Sequence, residues 1–158
     1  RDSARYTERI LTEASRDYLS KRMTAGGQKE FVYNGKRCLA VHGSKADEYW
    51  KSIEPEDRLE EYSGYDYVFS GHSHRPHMFE RYYACEDSRR RNKKKVIFIN
   101  PGSVGQPRNL NPMAQFVVLD LKKEQINFEK TEYDIDAEQA AFCGQTDDFY
   151  CERLRWGI

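Results

Sequence analysis

The chain has 158 residues, enough for one domain over residues 1–158 with a single core, and 33% of them are charged. Its 26 Lys and Arg balance its 26 Asp and Glu, so no net field draws the molecule to nucleic acid or to a membrane surface. No apolar run approaches the roughly 20 residues that span a bilayer, and no secretory signal is visible, so a cytoplasmic protein without a membrane partner is expected.

Apolar residues at Ile10, Leu11, Ala14, Tyr18 and Leu19 share one helical face and predict an amphipathic helix over 7–23, stopped by Gly26-Gly27. "FVYNGKRCLAVHG" then reads as a hairpin turning at Asn34-Gly35, whose second strand, 38–41, delivers His42 to its carboxyl end. The acidic stretch 44–62 predicts helix, broken near Glu54 with Pro55 opening a further turn. "YDYVFSGHSH" is a short strand running out at Gly71, so His72 and His74 also follow a strand end.

Residues 79–84 suit another strand. Six cations in the seven positions 89–95 then predict a solvated hairpin tip. A nucleic-acid contact by this loop is the weaker alternative, because no aromatic residues interleave to stack on bases. "VIFINPGS" and "AQFVVLDL" both read as central strands, and "QINFEKTEYDI" as a strand with one wet face that pairs back through 122–124. From Asp136 the pattern is helical to Gly144. It restarts with Thr146 as N-cap, and the last helix is expected to lay Phe149, Leu154 and Trp156 on the sheet. The four cysteines, Cys38, Cys85, Cys143 and Cys151, lack C-x-x-C spacing and read as reduced thiols, with a bond between Cys143 and Cys151 as the alternative.

The chain has four histidines, and all of them lie at or just past a predicted strand end: His42, His72, His74 and His77. One loop histidine is ordinarily just a solvated polar residue, but the joint placement favours metal ligation, since ligand sites gather at the carboxyl ends of strands in layered α/β folds. If the backbone stays extended, His72 and His74 project to opposite sides and serve two neighbouring ions. A single zinc site of these histidines with Cys85 is the alternative, without the close-spaced ligand pairs such sites usually show.

"VHGS" at 41–44, "SGHSHRP" at 70–76 and "INPGSVGQPR" at 99–108, in that order, resemble the C-terminal motifs of calcineurin-like metallophosphoesterases, more narrowly the small single-domain phosphodiesterases of that superfamily. The resemblance implies an α/β fold, a four-layer αββα sandwich of two mixed sheets between helices. It also implies two divalent metal ions (Mn, Fe, Zn or Ni) at the strand ends, with His42 and His72 on one metal and His74 on the other. The reaction implied is hydrolysis of a phosphate ester by a metal-bridging hydroxide. Arg75, Asn100 and Ser103 are the candidate substrate contacts, although a turn that only shapes the strand end explains Asn100 and Ser103 equally well. His77 is not among the ligands.

The family's earlier motifs, D-x-H, G-D and G-N-x-D, are absent from these residues. Two expectations follow. Either the N-terminal portion of the domain precedes Arg1, so that this portion alone is inactive and pairs with the missing part, or the chain is a non-catalytic scaffold for protein interaction.

Overall fold

The computed structural model of the protein describes residues 2–22 and 26–158. Two helices open the chain, α1 (Asp2–Ile10) and α2 (Glu13–Arg22), where one helix over 7–23 was expected; residue 23 lies outside the described residues. The break has a local cause. The Thr12 hydroxyl accepts a hydrogen bond from Ser15 N at 3.1 Å, which caps a new helix and competes with continuation of the old one.

Strands β1 (Gln28–Tyr33) and β2 (Lys36–Val41) form the predicted hairpin, turning through Asn34 at φ 50° and Gly35 at φ 73°. That pair of left-handed residues suits the twist of a two-residue turn. No α-helix follows over 44–62, contrary to expectation; only a 3-10 turn at Glu60–Tyr62 is regular. The Asp47 and Glu48 carbonyls accept from Ser44 N and Gly43 N, upstream amides, instead of from amides four residues ahead, so the turns that the Asp side chains cap do not continue. Asp47 Oδ1 accepts from Tyr49 N and Trp50 N, and Asp57 Oδ2 accepts from Glu54 N.

Strand β3 (Tyr67–Phe69) is three residues long, and β4 (His77–Ala84) starts two residues earlier than expected. The cationic tip joins it to β5 (Lys93–Asn100), so Lys93, Lys94 and Lys95 open that strand. These strands make one mixed sheet in the order β1-β2-β3-β5-β4, parallel across β2, β3 and β5 and antiparallel at both flanks.

Strands β6 (Ala114–Asp120) and β7 (Gln125–Thr131) pair only with each other. The expectation that β6 is central fails among the described residues, and Phe116 and Val118 stay exposed. Helices α3 (Ile135–Phe142) and α4 (Asp148–Trp156) close the chain. Asp147, not Thr146, caps α4, because a carboxylate one residue nearer accepts from Phe149 N at 2.9 Å. Leu154 is buried as expected, whereas Phe149 and Trp156 are exposed. Cys143 is bonded to Cys151, so the reduced-thiol expectation holds only for Cys38 and Cys85.

Apolar residues pack on both faces of the five-stranded sheet. On one face Leu39, Val41, Val68, Val96 and Phe98 meet Ile53, Leu59, Tyr62 and Tyr65 of the irregular segment. On the other, Cys38, Tyr67, Ile97 and Ile99 meet Leu121, with Val117, Leu119 and Ile126 of the second sheet alongside. Sheet therefore lies on sheet, and the layers are those of a mixed α/β sandwich. No described helix is long and apolar enough to cross a membrane.

Candidate metal and phosphate site

Three parallel strands end together. Ala40 is in register with Phe69, and Phe69 with Ile99, so the residues that follow β2, β3 and β5 emerge side by side. Backbone bonds continue the alignment past the sheet, from Ser70 N to Ile99 O and from Gly71 N to His42 O, both 2.9 Å. His42, the segment 70–74 and Asn100 are thereby gathered at one edge.

His42 Nε2 lies 3.4 Å from His72 Nδ1, with the rings edge to face at a centroid distance of 5.4 Å. Two nitrogens on a tetrahedral ion with metal–nitrogen distances of 2.0–2.1 Å stand about 3.4 Å apart. The pair therefore fits one edge of a metal site. Partial burial and the neighbouring His72 both hold the His42 pKa below its ordinary value, which favours the neutral, ligating imidazole.

His74 is held differently. Its Nδ1 lies 2.7 Å from the Gln106 carbonyl, so that nitrogen carries the proton and Nε2 keeps its lone pair. Metal-binding histidines commonly show this outer-shell arrangement. Burial lowers the His74 pKa; the Gln106 bond opposes the shift, and Arg108, Arg153 and His42 add to it. The backbone is not extended here, since His72 and His74 have φ of 63° and 58°. Opposite projection along a strand is therefore not what separates them. Two left-handed residues shape the loop instead, at a strain of about 1–2 kcal/mol each. Among the described residues no group of three or more His, Cys, Asp or Glu surrounds a common point.

Asn100 is fully buried and its amide is in use. Nδ2 donates to Gly71 O at 2.8 Å and to Ser73 Oγ at 2.9 Å, while Oδ1 accepts from Gly102 N at 3.0 Å. Ser103 Oγ accepts from Gln106 N at 2.9 Å and Gly105 N at 3.3 Å. Both side chains as they stand build the loop that holds the histidines.

A cleft of about 390 Å³ runs from this edge, lined by Ser52, Glu54, His72, Ser73, Arg75, His77 and Arg108. Arg75 is exposed and its Nε donates to Arg108 O at 3.0 Å. Arg108 itself had no role assigned from sequence, although it closes the "INPGSVGQPR" motif. Its Nε is buried without a hydrogen-bond partner, a donor left over beside the cleft. Gln106 was also missed, because it acts through its carbonyl, which residue type does not reveal. Trp50, mostly exposed, sets its ring 6.3 Å from that of His72.

In sequence, the chain is 34% identical over 113 residues to the uncharacterized protein MJ0912 of Methanocaldococcus jannaschii, a match covering 64% of this chain and 43% of that one. In structure it resembles a metallophosphoesterase from Sphaerobacter thermophilus, with a TM-score of 0.69 and 22% identity over 98% of this chain and 67% of the other. It also resembles the hypothetical protein PH1004 from Pyrococcus horikoshii OT3, with a TM-score of 0.68 and 17% identity over 97% and 58%. These likenesses extend the fold assignment across nearly all of the chain, which spans less than half the length of its curated relative. The family model for the calcineurin-like phosphoesterase superfamily domain matches residues 12–124, the stretch that contains both histidine motifs and the Asn100 loop, and the chain belongs to that superfamily.

Proposed function

We propose that the intact protein is a metal-dependent phosphoesterase and that His42 and His72 share one divalent ion while His74 serves a second. The observation that carries this reading is the 3.4 Å separation of His42 Nε2 and His72 Nδ1 at the joined ends of two parallel strands. A metal ion bound there supplies an activated water for attack on phosphorus. The chain's own part is to hold neutral imidazoles through the Gln106 carbonyl and the Asn100 loop, and to present Arg75 and Arg108 to the phosphoryl oxygens. The substrate is a phosphate ester, and Ser103 and Asn100 shape the wall behind it. The ligands these residues do not supply, a bridging carboxylate, a further Asp, a further His and an Asn, are those of the family's D-x-H, G-D and G-N-x-D motifs, and the exposed Phe116 and Val118 leave room for a covering segment.

Elemental analysis of the full-length protein and hydrolysis of bis(p-nitrophenyl) phosphate with added manganese test the proposal. His42→Ala and His72→Ala are expected to lower turnover by more than the about 10–100-fold that loss of an outer-shell partner brings. Unchanged turnover in either variant sinks the assignment.

The second reading is a non-catalytic scaffold. Its favouring observation is that among the described residues no group of three or more His, Cys, Asp or Glu is placed to hold a metal ion. Upstream sequence lacking all three motifs, together with a metal-free full-length protein, decides for it.

A further inference from the structure

We propose that a second pocket, next to the cleft, receives the organic group of the phosphate ester and that this group is a compact aromatic or heteroaromatic ring. The inference rests on the phosphoesterase reading and names a substrate class for it.

The pocket lies where β4, the turn after β5, β6 and β7 meet, and its volume is about 290 Å³. That is just below the range of about 300–1,000 Å³ typical of small-molecule sites, so it suits one ring system and not a long chain. Pro76, Met78, Pro101 and Phe128 give it apolar walls, and His77 and Gln115 contribute polar ones. Phe128 and Met78 are 39% and 46% exposed, so each offers a ring face or a thioether to an incoming group. Glu129 and Lys130 also line it, and their opposite charges leave nothing to attract a second phosphate.

His77 connects the two spaces, since it lines both the pocket and the cleft. Its position is fixed. Nδ1 donates to Arg75 O at 3.1 Å, and the ring stacks on Phe79 at 6.1 Å between centroids and 14° between planes. A phosphoryl group beside Arg75 and Arg108 therefore has its ester substituent directed past His77 toward Phe128. Gln115, 3% exposed, keeps the far wall rigid, with Nε2 donating to Asn109 Oδ1 at 2.8 Å. A mixed wall of this kind recognises a flat group with an apolar face and polar edge atoms.

The chain contains three methionines, which allows a binding readout independent of turnover. Full-length protein carrying ¹³C-methyl methionine is titrated with phenylphosphonate and separately with methylphosphonate, neither of which is hydrolysed, and the Met78 signal is assigned with Met78→Leu. Phenylphosphonate is expected to move the Met78 methyl resonance by ring current, and methylphosphonate to leave it in place. Phe128→Ala should weaken phenylphosphonate binding roughly tenfold, the scale of a lost stacking contact, and leave methylphosphonate binding within twofold. A Met78 signal that stays still at high phenylphosphonate, or equal losses for both phosphonates in Phe128→Ala, overturns the subsite. Hydrolysis of phenyl and methyl esters with equal kcat/KM overturns it too and leaves the phosphoesterase reading standing. A Met78 shift in a protein that hydrolyses no ester keeps the subsite and removes that reading.

Discussion

Replacing Asn100 by Ala removes the amide that ties two loops together, and the consequence can be worked out bond by bond. Gly71 O loses one donor but keeps Ser73 N at 2.7 Å, and Ser73 Oγ keeps Arg75 N at 3.3 Å. Each of these two losses is a net hydrogen bond of about 1 kcal/mol. Gly102 N loses Asn100 Oδ1, the acceptor it has in this loop, and an amide left unpaired at a half-buried position costs about 1–3 kcal/mol. Together the variant should lose about 3–5 kcal/mol, with a small cavity adding to it. Urea unfolding followed by far-UV circular dichroism gives the number, and at a slope of about 2 kcal/mol per molar the midpoint falls by about 2 M. The same measurement separates two roles for this residue. If Asn100 chiefly contacts metal or substrate, Asn100→Ala loses ligand affinity and little stability. A fall below about 1 kcal/mol therefore refutes the claim that its amide holds the loop.

Other substitutions probe the remaining elements. A Cβ at Gly43 would stand 2.6 Å from Asp47 O and 2.9 Å from Glu48 O and Lys51 O, all backbone, so Gly43→Ala should lower thermal stability by at least about 2 kcal/mol. Gly105→Ala, with open space around it, should change stability by less than about 0.5 kcal/mol, and equal effects would contradict the packing described. Burial pushes the Tyr62 phenol up to about 12, so its neutral form is favoured by folding. A folded-state pKa raised above the unfolded value stabilises fully below about pH 10 and is lost as pH rises through 12, a loss of about 2–3 kcal/mol. Tyr62→Phe should flatten that part of the wild-type decline in urea midpoint between pH 9 and 12, and an unaltered decline argues against the assignment. Reduction of the bond between Cys143 and Cys151, eight residues apart, should cost about 2.5 kcal/mol by loop entropy. Dithiothreitol should therefore lower the unfolding midpoint of the wild type and leave that of a Cys143→Ser, Cys151→Ser double variant where it is.

What could be read from sequence was whatever depends on local pattern. Asn34-Gly35 specifies its hairpin because few other dipeptides accept two left-handed residues, and the apolar run of β5 is buried from Val96 to Asn100. Strand ends placed His42 and His72 past two strands, whereas Asn100 came into view only through the resemblance. The segment 44–62 reads as helix on its charged composition and Pro55, while the Asp47 and Glu48 carbonyls are taken by Ser44 N and Gly43 N, which turns the backbone back on itself. β6 reads as central because Phe116 and Val118 are apolar, a property shared by strands whose covering partner belongs elsewhere. The left-handed turns at His72 and His74 were hidden for a different reason. Histidine enters that region more readily than most residues, yet only in a small fraction of cases, so residue type alone does not announce it and the surrounding loop decides.

The pairing that builds the site also fixes when the site can exist. Three hairpins, β1-β2, β4-β5 and β6-β7, join neighbours in sequence and can close early. The parallel pairs are remote, with Cys38 opposite Tyr67 and Tyr67 opposite Ile97, separations of about 30 residues whose closure entropy must be met first. A folding chain thus carries its histidines on unconnected pieces until β3, only three residues long, slots between β2 and β5. On the proposed ligation, His42 and His72 offer an ion a chelate only after β2 and β3 have paired, so metal binding would report that remote parallel pairing.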